Sequence, residues 1–153
     1  GIASGMPLGA LVTRVSVMTW EYGSHASTFG GNPVSCAAAN ATLDLLENGL
    51  LDHAREMGAY LLERLRDLQS RHDVIGDVRG MALMSAIDFF ARAKNIVPNP
   101  ELRNGVIQAA FRRGLLLLGC GESAIRFSPA LVVSKAQIDR AMGIVDEAIG
   151  ECV

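Results

Sequence analysis

One stretch of the sequence, from His25 to Pro33, concentrates residue types that bind anions. Ser27 and Thr28 supply two adjacent hydroxyls that suit a phosphate, and the glycines after them let the backbone approach a ligand closely. Asn32 is a typical N-cap residue, and proline is favoured at the first position of a helix. We therefore expect a helix to begin at Pro33 with unpaired backbone N–H groups and its positive dipole end beside the hydroxyls. An ordinary loop that caps a structural helix would have the same composition.

The second candidate for chemistry is Arg126. It lies between Ile125 and Phe127 in an otherwise apolar segment, where a charge is costly unless it is paired. A guanidinium can hold a carboxylate through two parallel hydrogen bonds. Its partner could be the carboxylate of a substrate, or an acidic residue such as Asp88 or Glu122 in a structural ion pair.

Further motifs surround these residues in a fixed order. Ser4 to Ala10 (SGMPLGA) precedes the hydroxyl loop, and Cys36 to Ala39 (CAAA), Asp77 to Gly80 (DVRG) and Ile125 to Pro129 (IRFSP) follow it. This series resembles the class III (omega) aminotransferases, the pyridoxal-phosphate enzymes that include 4-aminobutyrate, ornithine and acetylornithine aminotransferases. The resemblance covers nearly the whole chain.

The resemblance implies a role for each candidate residue. Thr28, with Ser27 as a further donor, would hydrogen-bond the phosphate of pyridoxal 5'-phosphate across the interface of a homodimer. Arg126 would bind the substrate carboxylate. The intact enzyme would transfer an amino group between a small-molecule amino donor, either an amino acid or an omega-amine, and an oxo acid.

The resemblance also implies that one catalytic residue lies outside this chain. In the family, the lysine that forms the Schiff base with the cofactor directly precedes the segment with which this chain opens, so we expect it just before Gly1. The two lysines of the chain, Lys94 and Lys135, occupy other positions. We therefore expect no catalytic lysine here and no activity from this chain alone. A non-catalytic dimerisation or regulatory relic of the family is the alternative function.

Two positions depart from the motifs of the family. A second glycine usually stands two positions after Gly80, where this chain has Ala82, and Ala130 replaces a common second proline after Pro129. Both departures bear on the substrate more than on the fold. We expect Arg79 and Gly80 to have a structural role.

The implied fold class is α/β, the C-terminal part of a fold-type I pyridoxal-phosphate-dependent transferase. Residues 1–49 would be a remnant of the large cofactor-binding domain plus a connecting helix. Residues 50–153 would form the C-terminal small domain, with a sheet of three or four mainly antiparallel strands covered by helices. Hydrophobic periodicity and helix start and stop signals predict the elements. We expect strands at 9–16, 74–78, 81–90, 115–118 and 124–127, a loop at 91–99, and helices from 33 to a stop at 48–49, at 51–71, at 100–113 and from 135.

Composition limits the possible partners and compartment. Fourteen basic and 16 acidic residues give a formal net charge of −2 with no basic cluster, which argues against nucleic acid. Cys36, Cys120 and Cys152 are widely spaced with no CxxC pair, which indicates free thiols in a reducing compartment and no metal site. The first residues lack the basic segment of a signal peptide, and the uncharged stretch from Tyr22 to Leu43 is too rich in polar residues to span a bilayer. We therefore expect a cytoplasmic protein with no membrane partner.

Overall fold

The computed structural model describes residues 1–92 and 95–153. The chain divides into two units, Gly1–Leu51 and Asp52–Val153. The helices are α1 (Pro33–Leu45), α2 (Leu51–Arg71), α3 (Pro100–Arg112) and α4 (Lys135–Cys152), and the strands are β1 (Ile75–Met81), β2 (Met84–Arg92), β3 (Asn95–Pro98), β4 (Leu118–Cys120) and β5 (Ala124–Phe127). No helix in the described ranges is long and apolar enough to cross a membrane.

The first unit consists of an irregular segment followed by α1. The predicted strand at 9–16 is wrong: within the described part of this unit no strand forms, and only Val15–Val17 make a short 3-10 turn. A strand needs a neighbour to satisfy its N–H and C=O groups, so apolar and β-branched residues alone do not make one. The stop predicted at 48–49 is confirmed: Asn48 and Gly49 leave the helical conformation, with Gly49 at a φ of 124°, and α2 begins at Leu51.

The second unit contains an antiparallel sheet with the strand order β1-β2-β5-β4, and β3 pairs with the far end of β2. The predicted α/β class with a mainly antiparallel sheet covered by helices is confirmed, but the sheet has five strands rather than three or four, because β3 also pairs with β2. Helices α2, α3 and α4 bury their apolar faces in one core with the strand residues Ile87, Phe89 and Ile125, all of which are fully buried. On the opposite face of the sheet Arg79, Met81, Met84 and Arg126 are exposed, and we call this side the open face.

Local sequence signals give the helix ends that were predicted. The Asn99 side chain accepts a hydrogen bond from the Leu102 N–H at 3.0 Å and caps α3. Gly114, at a φ of 83°, ends the same helix. Ser134 and Gln137 form a reciprocal capping box at the start of α4.

The strand predictions need three corrections. β1 and β2 are joined at Ala82 and Leu83, so Arg79 and Gly80 lie inside β1 rather than between two strand segments. The predicted loop at 91–99 contains the end of β2 and all of β3, because β2 extends and pairs with the returning chain; residues 93–94, which include Lys94, lie outside the described residues. β4 begins only at Leu118, and the first residue of the leucine run closes the end of α3 instead, where the Leu115 N–H donates to the Ala110 carbonyl.

Hydrogen bonds and ion pairs join α2, and His72 just after it, to α4 on the outside of the helical layer. The Tyr60 hydroxyl donates to Asp139 at 2.7 Å, and Asp146 receives hydrogen bonds from His72, at 2.5 Å, and from Arg71. Partial burial raises the pKa of the Asp146 carboxyl, but the hydrogen bonds from His72 and Arg71 outweigh burial and hold that pKa below its usual value. These contacts fix the two helices beneath the sheet.

Candidate functional site

The hydroxyl loop presents Thr28 to solvent. Ser27 and Thr28 are both exposed. The Ser27 hydroxyl oxygen accepts a hydrogen bond from the Phe29 N–H at 3.3 Å, and the Ser27 carbonyl accepts one from the Gly30 N–H at 3.2 Å. Among the residues that the structure describes, the Thr28 hydroxyl makes no hydrogen bond, so it is free to donate to a ligand.

The start of α1 offers fewer free donors than expected. The Asn32 side-chain oxygen accepts from the N–H groups of Val34, at 3.0 Å, and Ser35, at 3.2 Å, and the Asn32 carbonyl accepts from the Cys36 N–H at 2.9 Å. Pro33 has no N–H group. The expectation of unpaired N–H groups at this helix start is therefore wrong, because the predicted N-cap residue itself satisfies them. The hydroxyls and the helix dipole remain available to an anion.

The two glycine-containing motifs of the first unit line one open cleft. Its walls come from residues 7–11 and from residues 25–27, 29 and 30, so Ser27 lines the cleft and Thr28 does not; its volume is about 750 Å³. The first unit contains one basic residue, Arg14, and three acidic ones. Hydroxyls, rather than cations of this unit, are therefore what the loop offers to a phosphate, and they fit that group as donors.

Arg126 lies in the second unit, on the open face of the sheet. It is the one exposed residue of β5, and its direct neighbours are Ala86 on β2 and Leu118 on β4. Arg79 on β1 is the other direct neighbour of Ala86. Directly paired residues of antiparallel strands share a face, so Arg79, Ala86, Arg126 and Leu118 form one row across the sheet.

Asp88 forms an ion pair with Arg79 and not with Arg126. The Arg79 guanidinium donates to the carboxylates of Asp88 and Asp77, and hydrogen bonds to these two acids, Asp88 first, raise the pKa of Arg79. The Ser123 hydroxyl donates to the other oxygen of Asp88 at 3.3 Å. Within the described ranges no carboxylate lies within 4.0 Å of the Arg126 guanidinium, so neither Asp88 nor Glu122 forms the structural ion pair that the sequence left open.

An apolar cavity lies beside the segment that follows Arg126. Its volume is about 390 Å³, and α2, α4 and residues 115–117, 126–130, 132 and 133 surround it. The His53 Nε2 atom lies 2.9 Å from the Val133 carbonyl and ties this segment to the start of α2. His53 is half-buried. No local pattern in the sequence indicates this cavity, because its wall comes from four separate parts of the chain.

Comparison with known proteins identifies the family. The family description "Aminotransferase class-III" matches residues 1–149. The chain belongs to the class III aminotransferase family. The predicted family is thereby confirmed, and so is its cofactor, pyridoxal phosphate, at the level of the family.

Individual relatives of this class III chain differ in their named activities. The isoleucine 2-epimerase of Lentilactobacillus buchneri is 37% identical over 96% of the chain, and the alignment spans 33% of that protein. The acetylornithine aminotransferase of Caldanaerobacter subterraneus subsp. tengcongensis is 34% identical over 99% of the chain and 36% of the relative. The 4-aminobutyrate aminotransferase of Mycobacterium leprae is 38% identical over 99% of the chain and 34% of the relative. The class III chain thus spans about a third of the length of these relatives.

Solved structures show the same similarity to the class III chain. A Bacillus anthracis aminotransferase matches with a TM-score of 0.79 and 29% identity, covering 87% of this chain and 32% of that one. An amine transaminase from an uncultivated Pseudomonas species, solved with pyridoxal phosphate bound, matches with a TM-score of 0.79 and 32% identity, covering 86% and 30%.

Proposed function

We propose that this chain is the C-terminal part of a pyridoxal-phosphate-dependent aminotransferase that transfers an amino group between an amino acid or omega-amine and an oxo acid. Membership of the class III family supports the reaction class. The observation that carries the choice of substrate is Arg126, an exposed arginine on the open face of the sheet that has no carboxylate partner among the described residues. A free guanidinium suits a substrate that carries a carboxylate.

The two parts of the chain would have different tasks. Residues 1–49 would belong to the large cofactor-binding domain, where Thr28 and Ser27 would hydrogen-bond the cofactor phosphate of the neighbouring subunit in a homodimer. Residues 50–153 would form the small domain that holds Arg126. When bound, pyridoxal phosphate supplies an electron sink for the carbanion formed at the substrate. In this scheme Arg126 would bind the substrate carboxylate and orient the amino end toward the cofactor.

The lysine that links to the cofactor would lie ahead of Gly1, outside the 153 residues of this chain. The chain alone should then retain no cofactor absorbance after dialysis. The whole protein, loaded with pyridoxal phosphate, should convert an oxo acid to an amino acid when a carboxylated amine is supplied. A whole protein that forms no amino acid from any pair of amine and oxo acid would refute the proposed reaction.

A second candidate is racemisation or epimerisation of an amino acid. An isoleucine 2-epimerase and an alanine/serine racemase, the latter 38% identical to this chain, match as well as the named aminotransferases. Transamination and racemisation both remove a proton from the carbon that bears the amino group, and they differ in whether the amino group leaves that carbon. Incubating a single L-amino acid with the whole protein separates the two candidates. A racemase forms the D-enantiomer without an oxo acid. An aminotransferase requires the oxo acid, consumes the supplied amino acid and forms a different one from the oxo acid.

A further inference from the structure

Asp88 has two arginines within similar reach on the open face of the sheet. It lies on β2, two residues from Ala86, and its direct partners are Asp77 on β1 and Ala124 on β5. Because Arg79 and Arg126 are the two direct partners of Ala86, each is a diagonal neighbour of Asp88, one on either side. Diagonal neighbours lie about 7 to 8 Å apart at Cα, which is within reach of an arginine side chain.

Both oxygens of the Asp88 carboxylate accept a hydrogen bond. One of its oxygens accepts from Arg79 and the other from the Ser123 hydroxyl at 3.3 Å. Asp77, on the same strand as Arg79, also accepts from that guanidinium, so two acids hold it. The Asp88 side chain is 17% exposed, whereas that of Arg79 is 54% exposed. Arg79 therefore already balances the charge of the Asp88 carboxylate, which is the less exposed of the two groups, without any contribution from Arg126.

We propose that Arg79 is a positioning residue that keeps Arg126 free: by pairing with Asp88, it prevents that carboxylate from closing onto Arg126 and blocking the substrate carboxylate. This inference rests on the proposed function of Arg126. It also gives a role in specificity to an arginine that the sequence predicted to be structural. Ala86, with its small side chain, lies between the two arginines in the row, and the Cα atoms of Arg79 and Arg126 are roughly 10 Å apart.

The test compares two amino donors that differ only in the carboxylate, 4-aminobutyrate and butylamine, on the whole protein loaded with cofactor. Arg79→Gln should lower the specificity constant for 4-aminobutyrate about fivefold, because Asp88 then competes for Arg126, and should leave butylamine unchanged. Arg79→Lys, which retains a charge for Asp88, should behave like the parent. Arg79→Gln combined with Asp88→Asn should restore the parent preference, because the competing carboxylate is gone.

A second measurement on the 153-residue chain does not depend on catalysis. The NMR resonance of the Arg126 Nε–H should shift in Arg79→Gln and return to its parent position in the double variant. Equal losses for both donors, or a double variant as poor as Arg79→Gln, would overturn the positioning role. If Arg126→Ala leaves the preference for 4-aminobutyrate unchanged, the proposed function of Arg126 fails, and this result is distinct from an effect confined to the Arg79 variants.

Discussion

Adding one methyl group at Gly58 in α2 should destabilise the second unit, because the added atom would meet backbone. A Cβ atom built on Gly58 would lie 2.2 Å from the carbonyl carbon of Ala82 and 2.4 Å from its Cα atom. Carbon atoms in contact normally lie roughly 3.5 to 4.0 Å apart, so the helix or the turn between β1 and β2 must move by about 1 Å or more. The neighbour is backbone at a tight turn, and it cannot rotate away as a flexible side chain could.

The expected cost of Gly58→Ala follows from two opposing terms. Overpacking costs about 1 to 3 kcal/mol, and a contact this short should reach the upper value. Replacing a glycine inside a helix returns about 1 kcal/mol. The free energy of unfolding should therefore fall by about 2 kcal/mol, which corresponds to a loss of roughly 10 °C in melting temperature for a unit of this size.

Gly143→Ala in α4 is the matched control. Gly143 is an exposed helical glycine, and a Cβ atom added there meets nothing within 4 Å. That variant should gain up to about 1 kcal/mol. Urea unfolding of the 153-residue chain, followed by far-UV circular dichroism, measures both changes. If Gly58→Ala is as stable as Gly143→Ala, α2 does not pack against the turn as described.

Three further predictions concern stability and cofactor binding. Ala82→Gly should raise the free energy of unfolding by up to about 1 kcal/mol in urea unfolding, because Ala82 has a φ of 49°, which favours glycine. Asp146→Asn should make the melting temperature fall less steeply as the pH is lowered into the acid range. The reason is that the pKa of Asp146 is lowered in the folded state, so its ionised form stabilises the fold at a pH above the usual aspartate pKa of 3.8. That stabilisation is lost as the pH falls through the folded-state pKa. Thr28→Ala in the whole protein should weaken pyridoxal-phosphate affinity by roughly ten- to a hundredfold in a cofactor titration, because one hydrogen bond to a charged phosphate is lost.

The sequence predicted well those features that depend on residues close together in the chain. The Asn99 cap, the Gly114 stop and the Ser134 capping box each depend on a few consecutive residues, so their signals can be recognised without knowing the fold. The buried faces of α2 and α4 follow the helical periodicity of their apolar residues, which include Leu61 and Val145.

Features set by distant pairing were missed. The segment at 9–16 has the composition of a strand but no partner in the described chain, and β3 forms in a predicted loop because β2 provides one. The pairing of Asp88 with Arg79 rather than Arg126 depends on the register of three strands. Sequence spacing placed Asp88 near the site but could not decide which arginine would bind it.

Arg126→Lys in the whole protein tests the central claim most directly, because it keeps the charge and removes the planar fork. If Arg126 binds the substrate carboxylate, the specificity constant for 4-aminobutyrate should fall by an amount on the order of 2 to 4 kcal/mol, with butylamine turnover and the melting temperature unchanged. Equal losses for both amines together with a lower melting temperature would show that Arg126 supports the fold and does not bind the substrate.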